Sequence, residues 1–199
     1  MLEFKLENEI RDQGYSLIAG TDEAGRGCLC GPVCAAAVIL PEDYYHEKLN
    51  DSKKISPKTR EILFDDICKN AISYGIAFAS VEEIEQINIL NAALLAMRRA
   101  VEQLKPKADF LLIDGNVSRG FSGNFKTVVH GDAISPSIAA ASVLAKVSRD
   151  RLLEELDQKY PQYQLAKHKG YCTKLHKELL QKYGPNEIYR SSFLKKVLK

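Results

Sequence analysis

The sequence lacks the features of membrane and exported proteins. It contains no run of about 18 uncharged apolar residues, the length that a membrane-spanning helix requires. Residues 1–13 also lack the apolar stretch of a secretory signal. We therefore expect a soluble, cytoplasmic protein that does not bind a membrane.

Internal repeats, low-complexity tracts and a disulfide framework are absent as well. The five cysteines are an odd number, and a reducing compartment would leave them as thiols. Cys28, Cys30 and Cys34 cluster, but no fourth ligand lies nearby at the spacing of a zinc site. We interpret these three residues as small buried thiols.

Length and composition predict a single domain over residues 1–199. The chain is 45% apolar, so it can bury one sizeable core but hardly two. We expect an α/β core over about residues 16–159 and a helical, basic C-terminal part over about residues 160–199. We expect a monomer, and no protein partner can be inferred.

Charge is unevenly distributed along the chain. The net charge of +2 conceals −4 over residues 1–150 (17 Lys and Arg against 21 Asp and Glu) and +6 over residues 151–199 (11 against 5). A basic part beside an acidic body is typical of a protein with a polyanionic partner. A solvated helical surface explains the same charges, and charge alone favours it.

Strands and helices alternate along the chain. Strands are predicted at residues 16–22, 33–40, 72–80, 109–114 and 126–131. Short links or a single helix join the first three strands, which predicts a partly antiparallel sheet. Helix starts are indicated by Ser56–Pro57, by Ser80 with Glu83, and by Ser135–Pro136. The predicted fold class is α/β, with a mixed five-stranded sheet flanked by helices.

Acidic residues lie at the ends of predicted strands. Asp22 ends the first strand, Asp114 ends the fourth, and Asp132 follows the fifth. Strand ends commonly line the functional crevice of an open α/β sheet, so these carboxylates can converge. Glu23 follows Asp22 directly, and both can reach one site only where the strand ends or is distorted. The glycines of Gly25–Gly27 supply that freedom.

Four carboxylates in one crevice indicate metal-dependent chemistry. Such groups repel one another unless cations neutralise them, and Mg²⁺ and Mn²⁺ prefer oxygen ligands. Two ions roughly 4 Å apart support phosphodiester hydrolysis by holding a water and stabilising the leaving oxygen. The sequence contains no Walker phosphate loop, and no Ser–His pair suggests a covalent nucleophile. Each acid beside a glycine, taken alone, is more typical of a turn.

Six motifs in series carry a resemblance to a known family. They are GTDEAGRG, NDSKKIS, IDGN, GDAISPSIAAASVLAKVSRD, HKGY with the TK and H that follow it, and YGPNEIYR with the SF that follows it. In order and spacing, from about residue 16 to residue 193, they resemble the motifs of bacterial ribonuclease HII, a type 2 ribonuclease H. The related ribonuclease HIII is disfavoured, because its signature differs from DEAGRG.

The resemblance implies an RNase H-like fold and a metal-dependent endonuclease. Such an enzyme cuts the RNA strand of RNA/DNA hybrids and nicks DNA duplexes 5′ of a single embedded ribonucleotide, leaving a 3′-hydroxyl and a 5′-phosphate. It thereby removes ribonucleotides and RNA primers in DNA replication and repair. By position, Asp22, Glu23, Asp114 and Asp132 would be the catalytic ligands of two Mg²⁺ or Mn²⁺ ions. The α/β core would be catalytic, and the C-terminal part would bind substrate.

The resemblance also implies substrate contacts. Gly25–Gly27 would check the sugar for a 2′-hydroxyl, with glycines that let the backbone approach and Arg26 offsetting phosphate charge. Tyr171 would stack on the sugar of the next nucleotide and exclude a second 2′-hydroxyl. Lys53 and Lys169 are candidate phosphate contacts that would position the duplex without reading bases, and a solvated surface position explains either lysine as well.

Three further residues are expected outside the metal site. Asp150 resembles a fifth acid, but it lies in a predicted helix four residues after Lys146, where an ordinary ion pair explains it. His168 and His176 have no metal-like partners, and we expect both on the surface.

Two positions depart from the family pattern, and two other classes of function stay open. His130 stands where a lysine is common, and Tyr189 stands where a histidine is common. One alternative is an RNase H-like nuclease that acts on DNA alone, which the GRG and HKGY elements argue against. The other is a nucleic-acid-binding module that has lost catalysis, which the four intact acids argue against.

Overall fold

The computed structural model describes residues 2–50, 52, 55–195 and 197. The strands are β1 (Ile18–Ala24), β2 (Val33–Ile39), β3 (Ser73–Ala79), β4 (Phe110–Asp114) and β5 (Phe125–Val128). The α-helices are α1 (Lys5–Arg11), α2 (Pro57–Asn70), α3 (Val81–Glu102), α4 (Pro136–Lys159), α5 (Leu165–His168), α6 (Lys174–Tyr183) and α7 (Ser191–Leu194). Two 3₁₀ turns, at Gly131–Ala133 and Pro161–Tyr163, precede and follow α4.

The strands form one mixed sheet in the order β3-β2-β1-β4-β5. β2 pairs antiparallel with both β1 and β3, whereas β4 and β5 continue the sheet parallel to β1. A short connection suffices for the antiparallel β1 and β2, and the chain reaches β4 only after crossing the sheet through α3. The prediction of a mixed five-stranded sheet flanked by helices is confirmed.

Side-chain caps start three helices where the sequence predicts them. The hydroxyls of Ser56 and Ser135 accept N–H bonds from the first turns of α2 and α4. Ser80 and Glu83 form a reciprocal capping box at the start of α3, with N···O distances of 3.1 and 2.9 Å. α3 is not continuous, because Asn88 has a φ of 65° and interrupts the helix.

The helices α3 and α4 cover opposite faces of the sheet. β2 is buried along its whole length, so its alternate residues belong to the two separate apolar cores. Ala139, Ala140 and Ala141 of α4 are fully buried, as expected for a helix that approaches the sheet closely. A Cβ at Gly20 would lie 2.2 Å from the backbone nitrogen of Ile138. α4 therefore lies directly on β1 and runs toward the carboxyl end of that strand.

The C-terminal part packs against the far end of α4. Leu153 of α4, Leu29 of the β1–β2 connection and Tyr163, Leu180 and Tyr189 belong to a third apolar cluster. Because α4 contacts both the sheet and this cluster, the division expected near residue 159 stays a prediction. The three clustered cysteines are free thiols and fully buried, as interpreted from the sequence. No helix of the described residues is long and apolar enough to cross a bilayer.

Candidate active site

Three of the four predicted carboxylates meet at one edge of the sheet. One oxygen from each of Asp22, Glu23 and Asp114 lies within 4.8 Å of the others, and we call these residues the carboxylate cluster. The parallel pairing of β1 with β4 ends at Thr21 and Ile113, so the next residue of each strand is an aspartate. Strand register alone thus brings together two acids that are far apart in the sequence.

The two adjacent acids reach one site by a local hydrogen bond. β1 does not end at Asp22 as predicted; its pairing with β2 continues to Ala24, although its pairing with β4 has already stopped. The Glu23 N–H donates to Asp22 Oδ1 at 2.7 Å, which holds the Asp22 carboxylate against the backbone of Glu23. At the two acids, β1 therefore continues as a strand but pairs with a neighbouring strand on one side only.

Asp22 lies in an unfavourable electrostatic environment within the carboxylate cluster. Burial raises the pKa of Asp22 well above its ordinary value of 3.8, and the charges of Glu23 and Asp114 raise this pKa further. Hydrogen bonding from the Ser142 hydroxyl and from the Glu23 N–H opposes the rise without cancelling it. A set of three neighbouring carboxylates, one of them buried with a raised pKa, fits a hard divalent cation such as Mg²⁺ or Mn²⁺.

Asp132 lies next to the carboxylate cluster but is not part of it. It belongs to the 3₁₀ turn Gly131–Ala133 and is buried. The Gly131 N–H donates to Asp114 Oδ1 at 2.7 Å, which ties this turn to the cluster. The described carboxylates that lie within 4.8 Å of one another do not include Asp132. Its role as a metal ligand stays a prediction.

The cluster opens into a cleft of about 420 Å³. One side of the cleft is formed by two segments, Gly25–Gly27 and Lys169–Tyr171, which we call the wall segments; the first of them and Tyr171 line the cavity itself. A backbone bridge between Cys28 and Tyr171 joins the two segments. Ser52, Ser142 and Lys146 also line the cleft. Three of the four predicted catalytic carboxylates and the predicted sugar contacts thus face the same cavity.

The two glycines of the first wall segment have different surroundings. Gly25 has a φ of +99°, and a Cβ there would lie 2.0 Å from Nε of Arg149, so packing inside the protein explains this glycine. A Cβ at Gly27 would meet no atom within 4 Å. Only Gly27 therefore leaves room for a ligand to approach. Between them, the exposed Arg26 pairs with Glu23 at 2.9 Å.

Two buried arginines that the sequence reasoning missed shape the wall segments. Arg190 is fully buried and donates to the backbone oxygens of Gly25, Arg26, Cys28 and Gly31. Arg149, also fully buried, donates to the backbone oxygens of Cys30, Pro32 and Lys169. Arg149 lies four residues from the buried Ala145 and Leu153 of α4, and this helical spacing is the signal that could have identified it. We find no comparable sequence signal for Arg190.

The remaining predicted contacts have mixed outcomes. Tyr171 is 41% exposed, and the Lys146 ammonium lies 5.3 Å from its ring centroid. Lys146 also pairs with Asp150 at 2.6 Å, which confirms the ion pair predicted between them. Lys169 pairs with Glu154. Lys53 lies outside the described residues.

The expectation for the two histidines is wrong. The sequence predicts His168 and His176 on the surface, but they are 6% and 0% exposed. Their rings stack with centroids 3.9 Å apart. They are buried because backbone groups and the Tyr189 hydroxyl satisfy their nitrogens, and these partners could not be read from local sequence.

Comparison with known proteins agrees with this geometry. The pattern of the family "Ribonuclease HII" matches residues 19–196. A ribonuclease HII of Caldicellulosiruptor bescii is 50% identical over 195 residues, which cover 98% of this chain and 95% of the relative. The crystal structure of the ribonuclease H2 from Pyrococcus horikoshii has 26% identity and a TM-score of 0.77, with 92% of this chain and 97% of that chain covered.

A more distant structure shares the fold. Bst-RNase HIII, solved in complex with Mn²⁺, is 14% identical, with a TM-score of 0.70 over 92% of this chain and 69% of that one. Identity is far higher to the ribonuclease HII of Caldicellulosiruptor bescii, as the DEAGRG motif led us to expect. By the family match and by sequence identity over almost its whole length, the chain belongs to the ribonuclease HII family and is an endonucleolytic hydrolase of the ribonuclease H type.

Proposed function

We propose that the enzyme cuts the RNA strand of RNA/DNA hybrids and nicks DNA duplexes on the 5′ side of single embedded ribonucleotides. The products are a 3′-hydroxyl and a 5′-phosphate, which suits the removal of ribonucleotides and RNA primers. One observation carries the proposal: the carboxylate cluster, the first wall segment and Tyr171 of the second face a single cleft. Phosphodiester chemistry and inspection of the neighbouring sugar can therefore occur on one bound nucleotide.

Asp22, Glu23, Asp114 and Asp132 are proposed as the catalytic residues and metal ligands, for two Mg²⁺ or Mn²⁺ ions. Ions bound there would activate the attacking water and stabilise the leaving 3′ oxygen. The N–H groups of Glu23 and Gly131 orient the carboxylates of Asp22 and Asp114 in advance, at 2.7 Å each. The Mn²⁺ complex of the structurally similar Bst-RNase HIII supports a divalent cation in this fold.

The wall segments are proposed to recognise the ribose. A 2′-hydroxyl both donates and accepts a hydrogen bond, so backbone groups at close range can distinguish it from the CH₂ of deoxyribose. The open space beside Gly27 supports such an approach, and the exposed ring of Tyr171 lies across the same cleft. Stacking of this ring on the next sugar would disfavour a second 2′-hydroxyl.

Phosphate contacts are proposed for Arg26, Lys53 and Lys169. Arg26 has a half-exposed side chain paired with Glu23, and a phosphate could replace Glu23 as its partner. Because phosphate contacts release counterions, this part of duplex binding should weaken with salt. We further propose that the enzyme acts as a monomer, in the cytoplasm, where bacterial DNA is replicated.

The test is cleavage of an end-labelled DNA duplex that contains one ribonucleotide, with an all-DNA duplex as the matched control. Each is incubated with Mg²⁺, with Mn²⁺ or with a chelator, and cuts are mapped to the nucleotide. A metal-dependent nick directly 5′ of the ribonucleotide, absent from the control, is the expected result. Equal cutting of both duplexes would make the protein a nuclease that acts on DNA alone. Binding without cutting would indicate a module that has lost catalysis.

A further inference from the structure

The wall segment that carries Tyr171 has an unusual backbone. Lys169 and Gly170 both have left-handed conformations, with φ of 49° and 80°. A left-handed lysine is unfavourable and persists only where its surroundings over-determine it. Here Arg149 binds the Lys169 carbonyl at 2.9 Å, and the Leu29 N–H donates to the Gly170 carbonyl at 2.8 Å.

His168 binds this segment through one defined tautomer. Its Nε2 lies 2.9 Å from the carbonyl oxygen of Tyr163, and since a carbonyl only accepts, the proton must be on Nε2. Its Nδ1 is then an acceptor, and the Gly170 N–H donates to it at 3.2 Å.

His176 binds the same segment through the opposite tautomer. Its Nδ1 lies 2.9 Å from the carbonyl oxygen of Tyr171, so this nitrogen carries the proton. Its Nε2 is then an acceptor for the hydroxyl of Tyr189 at 3.0 Å. Tyr189 therefore fixes the tautomer that the contact with Tyr171 requires.

The two rings form a neutral stack. Their centroids are 3.9 Å apart and their planes differ by 17°. Burial lowers the pKa of His176 to about 4 and also lowers the pKa of His168. A second proton on either ring would remove a hydrogen-bond acceptor and place a charge against the neighbouring ring. Both rings are therefore uncharged side chains that hold backbone groups by hydrogen bonds.

We propose that His168, His176 and Tyr189 are positioning residues for ribose recognition, which hold the Gly170–Tyr171 backbone and thereby aim the Tyr171 ring into the cleft. The inference rests on the proposed sugar check. It assigns a function to three side chains that lie outside the carboxylate cluster. It also explains why a tyrosine at position 189, where a histidine is common in the family, keeps the network intact: its hydroxyl supplies the donor that His176 needs.

The proposal predicts which substitutions keep the geometry. His176→Asn places an amide N–H near the position of Nδ1 and can still bind the Tyr171 carbonyl, whereas His176→Leu cannot. Both variants lose the ring stack and the contact with Tyr189. They therefore form a matched pair that differs in the one hydrogen bond to the Tyr171 backbone. Tyr189→Phe removes a single hydroxyl and serves as a milder third variant.

The experiment measures kcat/KM for a duplex with one ribonucleotide and for a continuous RNA/DNA hybrid, with the melting temperature of each variant. His176→Leu should lower the ratio of the first kcat/KM to the second by about tenfold or more, because a small displacement of a positioning group suffices. His176→Asn should restore the ratio to within about threefold of the wild type, at a melting temperature like that of His176→Leu. Tyr189→Phe should lie between them.

Two controls keep the outcomes distinct. In a Tyr171→Ala background, His176→Leu should change the ratio no further, because the group that it positions is already gone. An unchanged ratio in His176→Leu, or equal losses on both substrates that follow the melting temperature, would overturn the positioning role. If the wild-type enzyme itself shows no nick at a lone ribonucleotide, the proposed function fails first, and it fails independently of these variants.

Discussion

The two sides of the cleft reach their geometry in opposite ways. The carboxylate cluster collects like charges, and this crowding adds to the effect of burial on the pKa of Asp22. In the wall segments, Arg149, Arg190 and the two neutral histidines bind backbone groups. The first side concentrates negative charge that a bound cation would offset, whereas the second is held by hydrogen bonds within the protein. Changes to the first should therefore affect chemistry, and changes to the second should affect selectivity or folding.

Removing one charge from the cluster should have the largest effect. Asp114→Asn should lower the rate of cleavage at a lone ribonucleotide by about 10³-fold, because metal-assisted stabilisation of the transition state is worth several kcal/mol. Duplex affinity, measured by fluorescence anisotropy without divalent metal, should stay within about threefold of the wild type. Asp43→Asn, an exposed acid beyond the opposite end of β2, is the control and should keep full activity. Near-normal cleavage by Asp114→Asn would remove Asp114 from the metal site.

The two glycines of the first wall segment should separate stability from function. Gly25→Ala combines a left-handed φ with a clash against Arg149, and should lower the free energy of unfolding by about 2–4 kcal/mol in urea titration. Gly27→Ala meets no protein atom and should change it by less than about 0.5 kcal/mol. Gly27→Ala should nevertheless slow cleavage at a lone ribonucleotide. Wild-type kinetics in that variant would show that no sugar approaches Gly27.

Loss of the Tyr171 ring should reduce selectivity more than affinity. Tyr171→Ala should lower kcat/KM at a lone ribonucleotide by about 10-fold to 100-fold, the range expected for one stacking contact. Affinity for a continuous hybrid should change by less than about threefold, because phosphate contacts supply most of it. Cys172→Ala alters the exposed neighbouring side chain and should match the wild type. Unchanged rates on both substrates in Tyr171→Ala would exclude the sugar check.

The charge imbalance of the cluster should produce a smaller, pH-dependent effect on stability. Because the folded-state pKa of Asp22 is raised, its contribution to stability is fully present below about pH 3.8 and is lost as pH rises through the folded-state value. With chelator at neutral pH, Asp22→Asn should therefore melt about 2–4 °C above the wild type, and this gap should vanish at low pH. Mg²⁺ should stabilise the wild type and not the variant. A wild type that melts above Asp22→Asn in chelator would show that the Asp22 carboxylate does not destabilise the folded protein at neutral pH.

The sequence predicted the carboxylate cluster better than the wall segments. Asp22 and Asp114 could be predicted at the edge of the sheet because strand ends follow from local sequence patterns. The register of β1 with β4 then brings the two residues side by side. The end of β1 was predicted two residues early, because pairing with β2 extends it to Ala24. The hydrogen bonds of Arg149 and Arg190 could not be predicted, because their partners are backbone carbonyls. Every residue has such a carbonyl, so no residue type indicates which one is bound. The burial of the two histidines could not be read from the sequence either, because their partners are backbone groups and the hydroxyl of Tyr189.

Arg190 orients the peptide groups of the first wall segment through its hydrogen bonds. Its guanidinium draws the carbonyl oxygens of Gly25 and Arg26 inward, at 2.8 and 3.2 Å. In a planar trans peptide the N–H of the following residue points the opposite way from the carbonyl. The N–H groups of Arg26 and Gly27 are therefore turned outward, away from the buried arginine. The polarity of two peptide planes thus turns hydrogen-bond donors outward from this loop, which is the geometry that the proposed recognition of a 2′-hydroxyl requires.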